Sequence, residues 1–285
     1  MEIVEIIKVI VLGIVEGITE WLPVSSTGHL ILVDEFMKLK ASEDFKEMFD
    51  VVIQLGAIIA VVVLYWHQLF PFGKKDNKYP LSDHGAGSYI KTDIFKMWFK
   101  VLAACVPAAV IGLLFDDLFH AMFYNWQTVA VMLILFGIAF IVIEKHNKGK
   151  KPTINSIEQM PYCVAVMIGA FQLIAAVFPG TSRSGATIVG ALLIGVSRTV
   201  AAEFTFYLAV PVMFGASLLK LVKFGLAFQT AELVYLILGM AVSFIVSIVV
   251  IRFLMGYIKK HDFTVFGWYR IIVGVLVILY FGLVR

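Results

Sequence analysis

The chain is 285 residues long, 61% hydrophobic and only 15% charged, with a mean hydropathy of +0.94; a soluble domain is roughly 45–50% apolar and about 25% charged. These values exclude an ordinary soluble domain and require an integral membrane protein. A net charge of +3 gives no reason to expect a nucleic-acid partner. Cys105 and Cys163 lie in apolar runs without a CxxC or Cys/His metal spacing, and are read as packing residues.

The opening "MEIVEIIK" has neither a basic region nor a small-residue cleavage site, so no removable signal peptide is expected. Ile3–Leu22 is apolar but carries Glu5, Lys8, Glu16 and Glu20, breaks at Pro23, and is followed by a short apolar piece, Leu30–Val33. After the acidic stretch 34–50 come three runs long enough to cross a bilayer, Val51–Phe70, Trp98–Phe119 and Trp126–Ile143. Pro161–Phe178 then breaks at Pro179-Gly180 and resumes as "ATIVGALLIGV", and three more long runs follow, Phe204–Leu221, Leu233–Leu254 and Phe266–Val284. A long arm, a polar break with proline and a short arm predict a re-entrant helical hairpin, because irregular backbone survives at membrane depth only inside protein or beside a wet cavity. The predicted fold is therefore all-α and polytopic, with six spanning helices and two re-entrant hairpins in a single membrane domain. Asp50 and Gln54 share a helical face, Arg198 and Glu203 read as an interfacial pair, and Pro211 predicts a kink.

The two broken regions resemble each other. With Pro23 placed on Pro179, Gly13 falls on Gly169, Glu16 on Gln172, Ser25 on Thr181 and Ser26 on Ser182. Two related halves are expected, about 1–150 and 151–285. Three spans per half is odd, so the second half runs inverted, an arrangement that brings paired broken helices together near the midplane. The loop 71–96 holds Lys74, Lys75, Lys78, Lys91 and Lys96, and 145–156 holds Lys145, Lys148, Lys150 and Lys151, whereas "FDDLFHAMFYN" between them has neither Lys nor Arg. The positive-inside rule puts both lysine loops in the cytoplasm, with Asp117 and the acidic stretch 34–50 outside.

The breaks carry the chemistry. Glu16 and Glu20, four apart, share a helical face, and each carboxylate at membrane depth costs about 2.5–3.5 kcal/mol on insertion scales. Something cationic must offset them. A pair of oxygen ligands facing a wet cavity suits Mg²⁺ or Ca²⁺; half-buried structural polar groups are the plainer alternative. "SSTGHLILV" and "TSRSGATIV" share a grammar in which hydroxyl caps precede a short helix. Each aims a helix N-terminus, a ready anion site, at its break. Arg183 adds a planar fork suited to phosphate oxygens, with a buried salt bridge to Glu20 as the structural alternative. Ser26 is a nucleophile if a base stands near, with His29 or Glu20 in that role, and otherwise a helix cap.

"EGITEWLPVSSTGH" and "PGTSRSG" resemble the two signature stretches of the undecaprenyl-diphosphatase family, the bacitracin-resistance type of bacterial membrane phosphatase, and the resemblance extends through "FDVVIQLGAI" and "EFTFYLAVP" over essentially the whole chain. It implies removal of the terminal phosphate of undecaprenyl diphosphate, recycling the lipid carrier for peptidoglycan and other cell-wall polymers, with a divalent cation required. It implies a multi-pass protein of the bacterial plasma membrane. By position, Glu16 and Glu20 match the glutamate-rich motif as metal ligands, Glu20, Ser26 and His29 the catalytic set, and Arg183, Ser182 and Ser184 the arginine-containing motif that binds substrate. Ser25, Thr27, Gln54 and Thr187 join the expected substrate-binding set. The expected partners are the polyprenyl diphosphate, membrane lipid and, in a homodimer, a second copy of the chain. The competing class is a secondary transporter or flippase for a polyprenyl phosphate lipid, which shares inverted repeats and broken helices but needs no nucleophile.

Overall fold

The computed structural model describes residues 2–74, 77–225 and 228–284, without the side chains of 113, 116, 117, 120 and 284. Lys75 and the Asp117 side chain, both used in the topology reading, therefore lie outside the described residues. Among the described residues twelve α-helices follow in order. The first hairpin is α1 (Ile3–Thr19) and α2 (Ser26–Phe36); α3 (Glu43–Val52), α4 (Gln54–Leu64), the short α5 (Trp66–Leu69), α6 (Thr92–Phe123) and α7 (Trp126–Asn147) come next. The second hairpin is α8 (Tyr162–Val177) and α9 (Arg183–Ile194), followed by α10 (Arg198–Phe224), α11 (Thr230–Ile258) and α12 (Thr264–Leu279). Six stretches among the described residues are long and apolar enough to cross a membrane, Glu43–Leu64, Thr92–Gly112, Trp126–Asn147, Arg198–Phe224, Thr230–Ile258 and Thr264–Leu283. The polytopic all-α expectation holds.

The first span begins eight residues earlier than expected (51 − 43) and stops at Leu64 rather than Phe70. Part of the acidic stretch is helical, because Ser42 caps α3 by accepting from Phe45 N. Its apolar face, Phe45, Met48, Phe49 and Val52, is buried, while Glu43, Asp44 and Glu47 are exposed and Lys46 and Asp50 are half-buried.

Lipid removes most of the hydrophobic drive between helices, so close packing relies on small residues. Long arm α1 packs on α11 and long arm α8 on α6, while α7 packs on α12. Gly13 and Gly169 set the first two contacts: an added Cβ would stand 2.9 Å from Gly239 O and 2.0 Å from Ala104 O respectively. Only a missing side chain lets these backbones meet. Around the hairpin tips lies a hydrophobic core in which Trp21, fully buried, meets Phe206 edge-on at 5.2 Å.

Two readings are corrected. Arg198 does not pair with Glu203; its guanidinium forks onto Glu144, whose Oε1 also accepts Phe263 N at 3.0 Å. That knot ties the end of α7 to the starts of α10 and α12. Cys163 is exposed rather than packed, whereas Cys105 is half-buried and packs against the core as expected.

Candidate active site

Both breaks end on the same strained turn. Ser25 and Ser182 have φ of +80° and +70°, the non-glycine residues with positive φ among those described. Such backbone costs on the order of 1–3 kcal/mol and is kept where surrounding structure over-determines it. Each serine then caps its short helix, Ser25 Oγ accepting from Gly28 N at 3.3 Å and Ser182 Oγ from Gly185 N at 3.1 Å. The expected pairing of Ser25 with Thr181 is therefore off by one. The second break holds one extra residue, so Ser25 corresponds to Ser182, and Ser26 corresponds to Arg183. Both open their helices at the first position, where backbone N–H groups have no intrahelical acceptor.

Those two residues meet on one carboxylate. Ser26 Oγ donates to Glu20 Oε2 at 2.7 Å, and Arg183 Nη2 donates to Glu20 Oε1 at 2.9 Å. Ser184 Oγ holds the Glu20 carbonyl at 3.2 Å. Arg183 Nη1 donates to Thr205 O at 3.1 Å, and its buried Nε has no protein acceptor. Glu16, one turn before Glu20, is fully buried with both carboxylate oxygens unpartnered.

A cavity of about 1,080 Å³ opens at this point, lined by Glu20, Ser26, Thr27, Gln54, Ser182 and Arg183 at its polar end. A smaller cavity of about 380 Å³, lined by Asp34, Asp50, Lys46 and Tyr124 among others, shares Thr27, Val51 and Gln54 with it as a common wall. Glu16, Ser25, His29, Ser184 and Thr187 do not line the large cavity. Ser25 is occupied as a cap, and Thr187 Oγ1 is fully committed to Arg183 O, Ser184 O and Thr205 Oγ1. His29 is held away from Ser26: Nδ1 lies 2.7 Å from Ser25 O and Nε2 2.7 Å from Tyr269 Oη, with the two rings stacked.

One site residue escaped the sequence reading. Arg270 on α12 is fully buried and donates to Pro23 O (2.9 Å) in the first break and to Gly180 O (2.9 Å) and Thr181 O (2.8 Å) in the second. A single guanidinium thus ties both turns together through carbonyls that have no helix to satisfy them. The visible signal was an arginine inside the run Phe266–Val284, since a charge in a span marks a functional position by default.

Among known proteins, the family described as Bacitracin resistance protein BacA matches residues 9–276. The chain belongs to the BacA family. It is 66% identical to the undecaprenyl-diphosphatase of Desulfitobacterium hafniense over 99% of this chain and 98% of that one. It is 62% identical to undecaprenyl-diphosphatase 1 of Clostridium acetobutylicum over the whole of both chains. With an Enterococcus faecalis undecaprenyl-diphosphatase it shares 60% over 98% of each. Six apolar helices together with BacA membership make it a multi-pass membrane protein. Within this chain, the hydroxyl, carboxylate and guanidinium singled out from the sequence are in direct contact.

Proposed function

We infer that the chain hydrolyses undecaprenyl diphosphate to undecaprenyl phosphate and inorganic phosphate, in keeping with relatives named undecaprenyl-diphosphatase. The observation that carries this reading is the Ser26–Glu20–Arg183 contact at the polar end of a cavity whose other end is apolar. Phosphoryl transfer asks for positioning and charge neutralisation more than for covalent work. Arg183 and the N-termini of α2 and α9 supply both for the terminal phosphate.

Ser26 Oγ attacks the terminal phosphorus as Glu20 takes its proton; the Oγ–P bond forms and the bridging P–O bond breaks, releasing undecaprenyl phosphate. Water, deprotonated by a Glu20 that has passed its proton to solvent, then attacks the phosphoserine phosphorus; the Oγ–P bond breaks, Ser26 Oγ takes the proton back from Glu20, and inorganic phosphate leaves. Glu20 is favoured over His29 as the base because Ser26 already donates to it, while both His29 nitrogens are engaged elsewhere. Direct attack by water is the alternative within this class.

A divalent cation fits the residues present. The two oxygens of Glu16 are buried and unpartnered, and Glu20 stands one turn on. Oxygen donors of this kind suit Mg²⁺ or Ca²⁺, and Mg²⁺ is commonly held by one or two carboxylates plus substrate phosphates. Bound there, the ion would neutralise phosphate charge.

We place the cavity on the outer side, with the hairpins re-entrant and the halves inverted, on the strength of the lysine loops and the matching turns at Ser25 and Ser182. A flippase reading leaves the Ser26–Glu20 bond without a purpose. Phosphate release from undecaprenyl diphosphate by the purified protein tests the proposal; lipid translocation without phosphate release would replace it.

A further inference from the structure

The large cavity has an apolar end that the hydrolytic site does not use. It runs between α6 and α10, walled by Ala108, Ala109 and Gly112 on one helix and Gly215, Ala216 and Leu219 on the other. Both helices carry an internal proline, Pro107 and Pro211, about one turn before the glycine. A glycine inside a helix costs about 1 kcal/mol relative to alanine, and it is usually repaid by close packing or positive φ. Neither applies here: a Cβ built at Gly112 or at Gly215 meets nothing within 4 Å, and both have ordinary helical φ. What these glycines preserve is empty space.

A second, independent feature marks a ligand. Gln172 on α8 lines the same cavity, is 2% exposed, and neither Oε1 nor Nε2 has a partner. Leaving a buried amide unpaired costs about 1–3 kcal/mol or more per group, so its position asks for a polar atom from a molecule in the cavity. It corresponds to Glu16 of the first half, but it is neutral and faces the cavity, which Glu16 does not. A polar pole and an apolar slot in one continuous cavity describe an amphiphile. Its volume of about 1,080 Å³ is at the upper end for a drug-sized ligand. That is room for a head group and the first units of a tail, not for an entire polyprenyl chain.

Resting on the hydrolytic reading, we propose that the α6–α10 slot draws the first isoprene units of the substrate out of the bilayer, with Gly112 and Gly215 setting its depth, while Gln172 Nε2 donates to the diphosphate. The methyl-branched units need a wide slot, which two bare helix faces provide. The distal tail stays in lipid.

The test compares undecaprenyl diphosphate with dimethylallyl diphosphate, whose tail is a single isoprene unit, in detergent micelles. Gly112→Leu and Gly215→Leu should raise KM for the long substrate at least tenfold and change kcat/KM for the short one by less than about threefold. Gln172→Leu, which acts on the shared head group, should raise KM for both. Gly256→Leu on α11, where an added side chain also meets open space outside the cavity, controls for the substitution itself and should match wild type. If either glycine variant proves unfolded by thermal melting, Ala216→Leu takes its place. Wild-type kinetics of the folded slot variants on the long substrate, or equal losses on both substrates, would overturn the slot. An unchanged KM in Gln172→Leu would overturn the head-group contact. A wild-type protein that releases phosphate from neither substrate would instead refute the hydrolytic reading.

Discussion

Ser26 and Arg183 occupy the same position in two short helices, and both end on the carboxylate of Glu20. The two breaks thus contribute different chemistry from equivalent places: one a hydroxyl, the other a fixed positive charge. A duplicated helix start would otherwise be a doubled anion site. On the proposed mechanism, one copy serves as nucleophile and the other as clamp, which would turn that site into a reaction centre.

Ser26→Ala should lower turnover at least a hundredfold, about 2.7 kcal/mol in barrier, while the melting temperature in detergent changes little. Ser25, not Ser26, is the cap, so the fold keeps its α2 start. Retention of more than about a tenth of wild-type turnover would reduce Ser26 to a ligand. His29→Ala should retain far more activity than Ser26→Ala, since its ring nitrogens serve Ser25 O and Tyr269.

Arg183→Lys should remain severely impaired although the charge is kept. A lysine cannot reach Glu20 and the Thr205 carbonyl from one planar fork. Steady-state kinetics with undecaprenyl diphosphate checks this; near-normal kcat/KM would show that charge alone suffices.

Glu16→Gln should cost about a hundredfold in activity and alter the dependence on Mg²⁺, because both oxygens of the buried carboxylate have no hydrogen-bond partner among the described residues. Full wild-type activity in excess chelator would remove the metal from the account.

Arg270→Met should destabilise the protein, by about 1–3 kcal/mol for each carbonyl that loses its donor, read as a fall in melting temperature, since it leaves the Pro23, Gly180 and Thr181 carbonyls buried without that partner. An unchanged melting curve would mean that the turns hold themselves.

In a variant with Cys105 and Cys163 replaced, single cysteines at Lys78 and Lys148 should resist an impermeant reagent in intact cells, and one at Glu43 should react. The reverse pattern would invert the topology.

The apolar runs and caps made the six spans and both breaks readable, because membrane length and side-chain hydroxyls leave marks in sequence. Three features left weaker marks. The extra residue in the second break shifts every pairing after Pro179, and only backbone geometry at Ser182 exposes it. Arg270 acts on main-chain carbonyls, which every residue carries and no motif advertises. Glu144 and Arg198 are 54 positions apart, so the nearer Glu203 looked like the partner until tertiary packing chose.

The stereochemical course at phosphorus tests the central claim, attack by Ser26, without depending on whether an intermediate accumulates. With undecaprenyl diphosphate carrying an isotopically chiral thiophosphate at its terminal position, two successive in-line displacements, first by Ser26 and then by water, should yield inorganic thiophosphate with retained configuration. Inversion would mean a single displacement by water and would contradict the account.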